Sequence, residues 1–254
     1  MAASRPLVAL ITGGTAGLGA ATARLFARDG MRVAVNYNSN ADRAAAFVEE
    51  LHTLSPLPRD DGNFISVPAD LAARDELVTL VRRVVDVMGH LDVVFSNGGW
   101  TQLRNIMDLD DNVVEEDWDR CFNMNVKSHL FLMHAAKEHL DKTEGAFITT
   151  ASLAGVKVSG SSLAYAVTKA AQIHLVKGLA LAASPKIRVN SVSPGLMLTD
   201  WGLSFPPEKQ EEMRKRTKLG RLVTVDDVAQ QVLCFAKSRG VTGVNAVLDA
   251  GMSL

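Results

Sequence analysis

Leu7-Val8-Ala9-Leu10-Ile11-Thr12-Gly13-Gly14-Thr15-Ala16-Gly17-Leu18-Gly19 sets a short apolar run against a glycine-rich turn, and a helix-like stretch over 17–29 follows. An unbroken apolar run of this length reads as a strand covered on both faces, as in parallel sheets. Gly13, Gly17 and Gly19 let the backbone turn sharply and approach a ligand, while the amides that open the helix favour negative charge. Thr15 and Leu18 belong to the same turn. The stretch therefore predicts a pyrophosphate-binding strand-turn-helix unit.

Outward from this unit, strand-like and helix-like segments alternate. Strands are expected over 7–12, 32–36, 64–67, 91–96, 146–150, 187–192 and 245–248, and helices over 17–29, 41–54, 74–88, 116–139, 163–183 and 225–237. This rhythm predicts an α/β fold, a single doubly wound Rossmann-type domain over 1–254 with a seven-stranded parallel sheet flanked by helices. Two stretches break it. Residues 55–62 are rich in turn formers and read as a surface loop. Residues 194–220 begin apolar, continue as a charged helix-like run and follow a strand end, which reads as a substrate loop or lid.

The 254 residues are 47% hydrophobic with a formal charge of −1 and an isoelectric point near 6.6. That balance gives no electrostatic reason for a nucleic-acid or anionic-membrane partner. No apolar stretch reaches membrane-spanning length and the chain start passes straight into a strand, so a cytoplasmic protein is expected. Cys121 and Cys234 fit no ligand spacing and read as buried thiols. His129, His134 and His139 recur every five residues, which scatters them around a helix, so no metal site is expected.

The chemistry concentrates later in the chain. Tyr165 and Lys169 are four apart and share a helix face, so the ammonium can stand beside the phenol and favour phenolate, making tyrosine usable as acid or base. Ser152 follows the strand over 146–150, at the edge where such sheets place ligand groups. After the third strand Asp70 and Leu71 can meet an adenine, and after the fourth Asn97, Gly98 and Gly99 can run beside its ribose. At the end of the second strand, Val35-Asn36-Tyr37-Asn38-Ser39-Asn40 holds no carboxylate. Neutral donors there, with Arg43 on the next helix, suit a 2′-phosphate, so NADP(H) is favoured while NAD(H) stays open. Trp100, Leu153, Leu196, Met197, Trp201 and Phe205 are the candidate pocket side chains, which points to an apolar, cyclic or aromatic carbonyl compound.

With these residues in place, the chain resembles the short-chain dehydrogenase/reductase family over essentially its whole length. Thr12 to Gly19 matches TGxxxGxG, and Ser96-Asn97-Gly98-Gly99 resembles NNAG with serine for the first asparagine and glycine for the alanine. Asn125 corresponds to the asparagine of the family's fourth helix. Ser152, Tyr165 and Lys169 match the catalytic serine and YxxxK, and Pro194-Gly195 with Thr199 matches the segment that lies along the nicotinamide. The resemblance implies that Lys169 binds the nicotinamide ribose, that Asn125 holds a water linking the lysine to solvent, and that Thr199 contacts the carboxamide. It implies a homodimer or homotetramer formed through the helices over 116–139 and 163–183. Similar NY-containing segments occur in NADP-using members, whereas Ala16 stands where many of those place arginine.

The implied activity is NADP(H)-dependent reduction of a ketone on a small apolar or cyclic metabolite, with Tyr165 as general acid, in a ketoreductase of secondary metabolism. The alternatives are an NAD-dependent alcohol dehydrogenase of the same family and a non-catalytic cofactor-binding sensor, and within the enzyme class a general sugar or acyl-thioester reductase stays open. A serine hydrolase is disfavoured because Gly-x-Ser-x-Gly is absent around Ser152.

Overall fold

The computed structural model describes residues 5–199 and 202–254. The chain runs β1 (Val8–Ile11), α1 (Gly17–Arg28), β2 (Arg32–Tyr37), α2 (Ala41–Leu54), β3 (Phe64–Pro68), α3 (Arg74–Met88) and β4 (Val93–Ser96). It continues through α4 (Glu115–Phe122), α5 (Ser128–Thr143), β5 (Ala146–Thr150), α6 (Leu163–Ala182), β6 (Arg188–Pro194), α7 (Pro207–Arg216), α8 (Val225–Lys237) and β7 (Asn245–Leu248).

All strand pairs are parallel, in the order β3-β2-β1-β4-β5-β6-β7. The chain direction reverses across the sheet between β1 and β4, and ligands of open α/β sheets lie at the carboxyl edge of such a crossing. Alternate strand residues feed two cores, because successive side chains point to opposite faces. Ala9, Ile11, Val33, Val93 and Ile148 pack with α1 and α8. Val8, Leu10, Val94, Phe147 and Val189 pack with α3, α5 and α6. Among the described residues no helix is long and apolar enough to cross a membrane.

Two sequence expectations change. The helix expected over 116–139 begins at Glu115, ends at Thr143 and is interrupted by a π-helical turn, Asn123–Lys127. Such turns recur at functional sites, and this one holds Asn125. Cys121 is buried, but Cys234 is exposed. The inner stripe of α8 is Val228, Ala229, Val232, Phe235 and Ala236, and position 234 falls outside it.

Candidate active site

The glycine-rich turn is built for close approach. A side chain at Gly19 would put its Cβ 2.2 Å from the Gly13 carbonyl oxygen, and one at Gly14 would fall 2.8 Å from Val35. Gly13 and Gly17 adopt φ of +57° and +49°, the left-handed region that favours glycine. Ala16 offers no side-chain cap to α1 and its first turn holds no acid, so its opening amides are available to an anion. Leu18 and Thr15 are buried beneath the turn. The Thr199 methyl sits over Gly17, where an added Cβ would lie 3.3 Å away, bringing the segment after β6 to the same turn.

Asn36 lies elsewhere than expected. Its side chain is buried, accepting from the Gly13 amide at 3.2 Å and donating toward the carbonyls of Tyr37, Val67 and Ala69. It fastens the turn to the ends of β2 and β3 and does not face a ligand groove. Tyr37 is half-buried, and Asn38, Ser39 and Arg43 are exposed. Asp70 is exposed and closes its own turn through the Ala72 amide, while Leu71 packs where a Gly98 side chain would stand.

The loop after β4 is tied to both neighbouring strands. Thr12 Oγ1 accepts from the amides of Asn97 and Gly98, and Asn97 Oδ1 accepts from Thr150 Oγ1 at 2.9 Å. Asn125 is fully buried and clamps Trp100, accepting from its amide at 2.8 Å and donating to its carbonyl at 2.9 Å. It also donates to Thr168 on α6. Gly99 lies beside this clamp, since a Cβ there would sit 3.2 Å from Asn125 Oδ1 and 3.5 Å from Lys169 Nζ.

Ser152 begins a 3-10 turn, Leu153–Gly155, by accepting from the Ala154 amide. That turn can lie on α6 only because residue 155 is glycine: a Cβ would be 2.5 Å from the Lys169 carbonyl carbon. Ser162 caps α6 by accepting from the Tyr165 amide, which puts Tyr165 in the first turn and Lys169 one turn on. The Tyr165 phenol hydrogen-bonds Ser152. Lys169 is buried, and its Nζ donates to the Thr150 carbonyl at 2.8 Å and to Gln172 Oε1 at 2.9 Å. Gln172, also buried, donates back to Thr150. Sequence reading passed over Gln172, whose signal is a polar side chain within the apolar helix that carries Tyr165 and Lys169.

The electrostatics differ from the expectation drawn from the i, i+4 spacing. Burial pushes the Tyr165 phenol up to about 12, which outweighs the Ser152 hydrogen bond. Burial likewise pulls Lys169 down to about 7. Without ligand, desolvation outweighs charge proximity, and the phenol keeps its proton.

A cavity of about 340 Å³ opens against this pair. Ser152, Tyr165, Pro194, Gly195, Leu153, Leu196 and Phe205 line it, so the expected Leu153, Leu196 and Phe205 do reach it. Ile106, Met107, Val158, Met213 and Met252 also line it and were missed, because they come from loops and helix faces far apart in sequence. Trp100 is not in the lining; it stacks under Arg120, whose guanidinium lies 4.4 Å from the ring centre. Met197 packs against the core on the α1 and α8 side. Trp201 lies outside the described residues.

Behind the site, His129 is buried with Nδ1 2.6 Å from Ser96 Oγ, and its Nε2 has no partner among the described residues. Burial, then the nearby Lys169, hold it down at about 3. The unfolded chain would therefore bind a proton between roughly pH 6.5 and 3 that the folded chain refuses, so stability is intact above that window and falls as pH drops through it. His129→Gln should shrink the loss of melting temperature between pH 7 and 4 by about 5 °C. Parallel curves for the two proteins would refute this.

Comparison with known proteins places the whole arrangement. The family profile described as Enoyl-(Acyl carrier protein) reductase matches residues 13–253. This chain belongs to the short-chain dehydrogenase/reductase family. It is 32% identical to the cis-1,2-dihydrobenzene-1,2-diol dehydrogenase of Pseudomonas putida, covering 97% of this chain and 92% of that one. It is 31% identical to the 3-oxoacyl-(acyl-carrier-protein) reductase FabG of Staphylococcus aureus, covering 96% and 97%. A short-chain dehydrogenase from Burkholderia cenocepacia, solved in complex with NADP, superposes with a TM-score of 0.86 at 31% identity over 97% of each chain. As a short-chain dehydrogenase/reductase, the protein is an oxidoreductase of the class that acts on CH–OH and C=O groups.

Proposed function

We propose that this protein is an NADP(H)-dependent ketoreductase that reduces a carbonyl on a small, largely apolar metabolite. The observation that carries the reading is the Ser152–Tyr165 pair set in the wall of a cavity whose body is lined by Ile106, Met107, Leu153, Leu196, Phe205 and Met213, with Lys169 one helical turn behind. A bound nicotinamide would supply the hydride. Gly13, Gly17, Leu18 and Gly19 would hold its pyrophosphate, Lys169 its ribose, and Pro194, Gly195 and Thr199 its nicotinamide end. The carbonyl oxygen would accept hydrogen bonds from Ser152 and Tyr165, and Tyr165 would deliver the proton. In the ligand-free protein burial keeps the phenol protonated at neutral pH, the state from which Tyr165 would donate to the carbonyl oxygen. That Ser152, Tyr165 and Lys169 are all present and brought together weighs against a sensor without chemistry.

The cofactor form rests on the end of β2. Residues 35–40 hold no carboxylate, and Arg43 makes no ion pair among the described residues, although the exposed Asp42 precedes it in the first turn of α2. Arg43→Ala should reduce the NADPH/NADH ratio of kcat/KM about tenfold, a change near 1.4 kcal/mol. An unchanged ratio would remove Arg43 from the phosphate site. Aspartate at Asn36 is the wrong test, since its carboxylate would face the three carbonyls that now receive the amide.

We also propose that α5 and α6 pair about a two-fold axis, in a dimer or tetramer. Leu130, Val167 and Leu181 are exposed on these helices and support it. The segment over 194–220 already reaches the cavity through Phe205, Lys209, Met213 and Arg216, and we assign it the role of substrate lid. The activity is tested by following NADPH oxidation with a panel of cyclic, aromatic and aliphatic ketones. Turnover of none of them by protein shown to bind NADPH would overturn the reading.

A further inference from the structure

The cavity is uneven in charge. Its wall is apolar from Ile106, Met107, Val158, Met213 and Met252, yet the lining also includes Lys157, Lys209 and Arg216. Among its described lining residues there is no aspartate or glutamate. All three cations are exposed, so they stand where the cavity meets solvent. Two elements supply them: Lys157 follows the 3-10 turn that carries Ser152, and Lys209 and Arg216 belong to α7.

Their own neighbours leave this charge only partly balanced. Lys209 reaches Glu212 at 3.0 Å and Arg216 reaches the same carboxylate at 3.7 Å. One carboxylate thus serves two cations, and Lys157 has no ion pair among the described residues. A neutral ligand would gain nothing from this rim. A ligand with an apolar body and one anionic end would bury the body against the methionines and set the anion among the cations, where partial desolvation strengthens the attraction.

We infer that the substrate is an oxo acid, a carbonyl compound whose free carboxylate is held at the cavity mouth by Lys157, Lys209 and Arg216. The inference rests on the ketoreductase reading for the carbonyl end and adds the class of the distal group. The cations belong to the cavity wall, while the rest of α7 mixes Glu208, Glu211, Glu212, Arg214 and Lys215, so the surface around the mouth is not a broad basic face for an acidic protein. The volume of about 340 Å³ is near the small end for ligand pockets and suits a compact acid.

Equilibrium binding separates this from the activity. Octanoate and octanamide share one apolar chain and differ in charge, and their dissociation constants can be measured by calorimetry at low salt on the full-length protein, with and without NADPH. Octanoate should bind at least tenfold more tightly, and the triple variant Lys157→Gln, Lys209→Gln, Arg216→Gln should lose that preference while its melting temperature stays near wild type. Lys157→Gln alone should lose part of it, which keeps the test open if the triple variant folds poorly. Equal binding of the two probes, no binding of octanoate, or a preference that survives the substitutions would overturn the inference. So would octanoyl groups that bind only when attached to an acidic carrier protein.

Turnover is read in parallel on 3-oxooctanoate and its methyl ester. Reduction of both at equal kcat/KM would overturn the carboxylate assignment and leave the ketoreductase standing. Octanoate preference with no reduction of either compound would support the anion site and count against the ketoreductase.

Discussion

Tyr165→Phe should lower the rate of carbonyl reduction by 10²-fold or more while leaving NADPH affinity within about twofold of wild type. The loss is that of a positioned general acid, worth 10² to 10⁴ in comparable proton transfers. The substitution removes one oxygen and little else. The ring would keep its packing on Gly160, where an added Cβ would lie 3.4 Å from Tyr165 Cδ1, and its place 5.6 Å from the Lys169 ammonium. Ser152 would keep its bond from the Ala154 amide, so the turn that carries it should hold. Melting temperature should therefore change little.

The rate must be read in a single turnover with cofactor prebound, because slow product release could mask a lost proton donor. A phenylalanine variant with wild-type single-turnover chemistry would show that the proton comes from elsewhere. Among the described residues that line this cavity the remaining hydroxyl donors are Ser152 and Ser159, and Ser152→Ala would then be the variant to make.

Much of this site can be read from sequence because its parts are local. Tyr165 and Lys169 are one helical turn apart, and Gly13, Gly17 and Gly19 lie within one turn, so spacing alone sets their geometry. The seven strands are legible as short runs between helices, and β1, β2, β4, β5 and β6 are buried along nearly their whole length, whereas β3 and β7, at the sheet edges, are only partly covered.

What stayed hidden depends on contacts between distant segments. Asn36 stands where a ligand contact is expected, and its inward turn is decided by the carbonyls of Val67 and Ala69, more than thirty residues on. Trp100 is drawn from the cavity by Arg120 and by the Asn125 clamp. The phenol's ionisation is set by how much protein covers it, which a four-residue spacing does not record. Gln172, the π-helical turn and the cationic rim of the cavity belong to the same class of feature.

Lys169→Met should be the most damaging single change, lowering kcat/KM by about 10³-fold through combined losses in cofactor binding and in chemistry. Nζ is held between Thr150 and Gln172, so its direction is fixed before any ligand arrives. Methionine would fill much of the space but leave Gln172 Oε1 without its donor. NADPH should bind at least tenfold more weakly, which separates this variant from Tyr165→Phe.

The same variant tests the electrostatics through stability. Burial brings Lys169 down from 10.5 to about 7, so between pH 7 and 10.5 the unfolded chain binds a proton that the folded chain has released. Stability contributed by this group must then rise with pH across that window, because the unfolded state holds more protons. Below pH 7 both states are protonated and the cost of a buried ammonium is carried in full. Tyr165 acts in the opposite sense, but only above pH 10, where its unfolded phenol starts to ionise and the folded one does not. From pH 7 to 10, then, the wild-type melting temperature should climb relative to Lys169→Met. Curves that run parallel there would mean that Thr150 and Gln172 compensate the buried charge and keep Lys169 protonated.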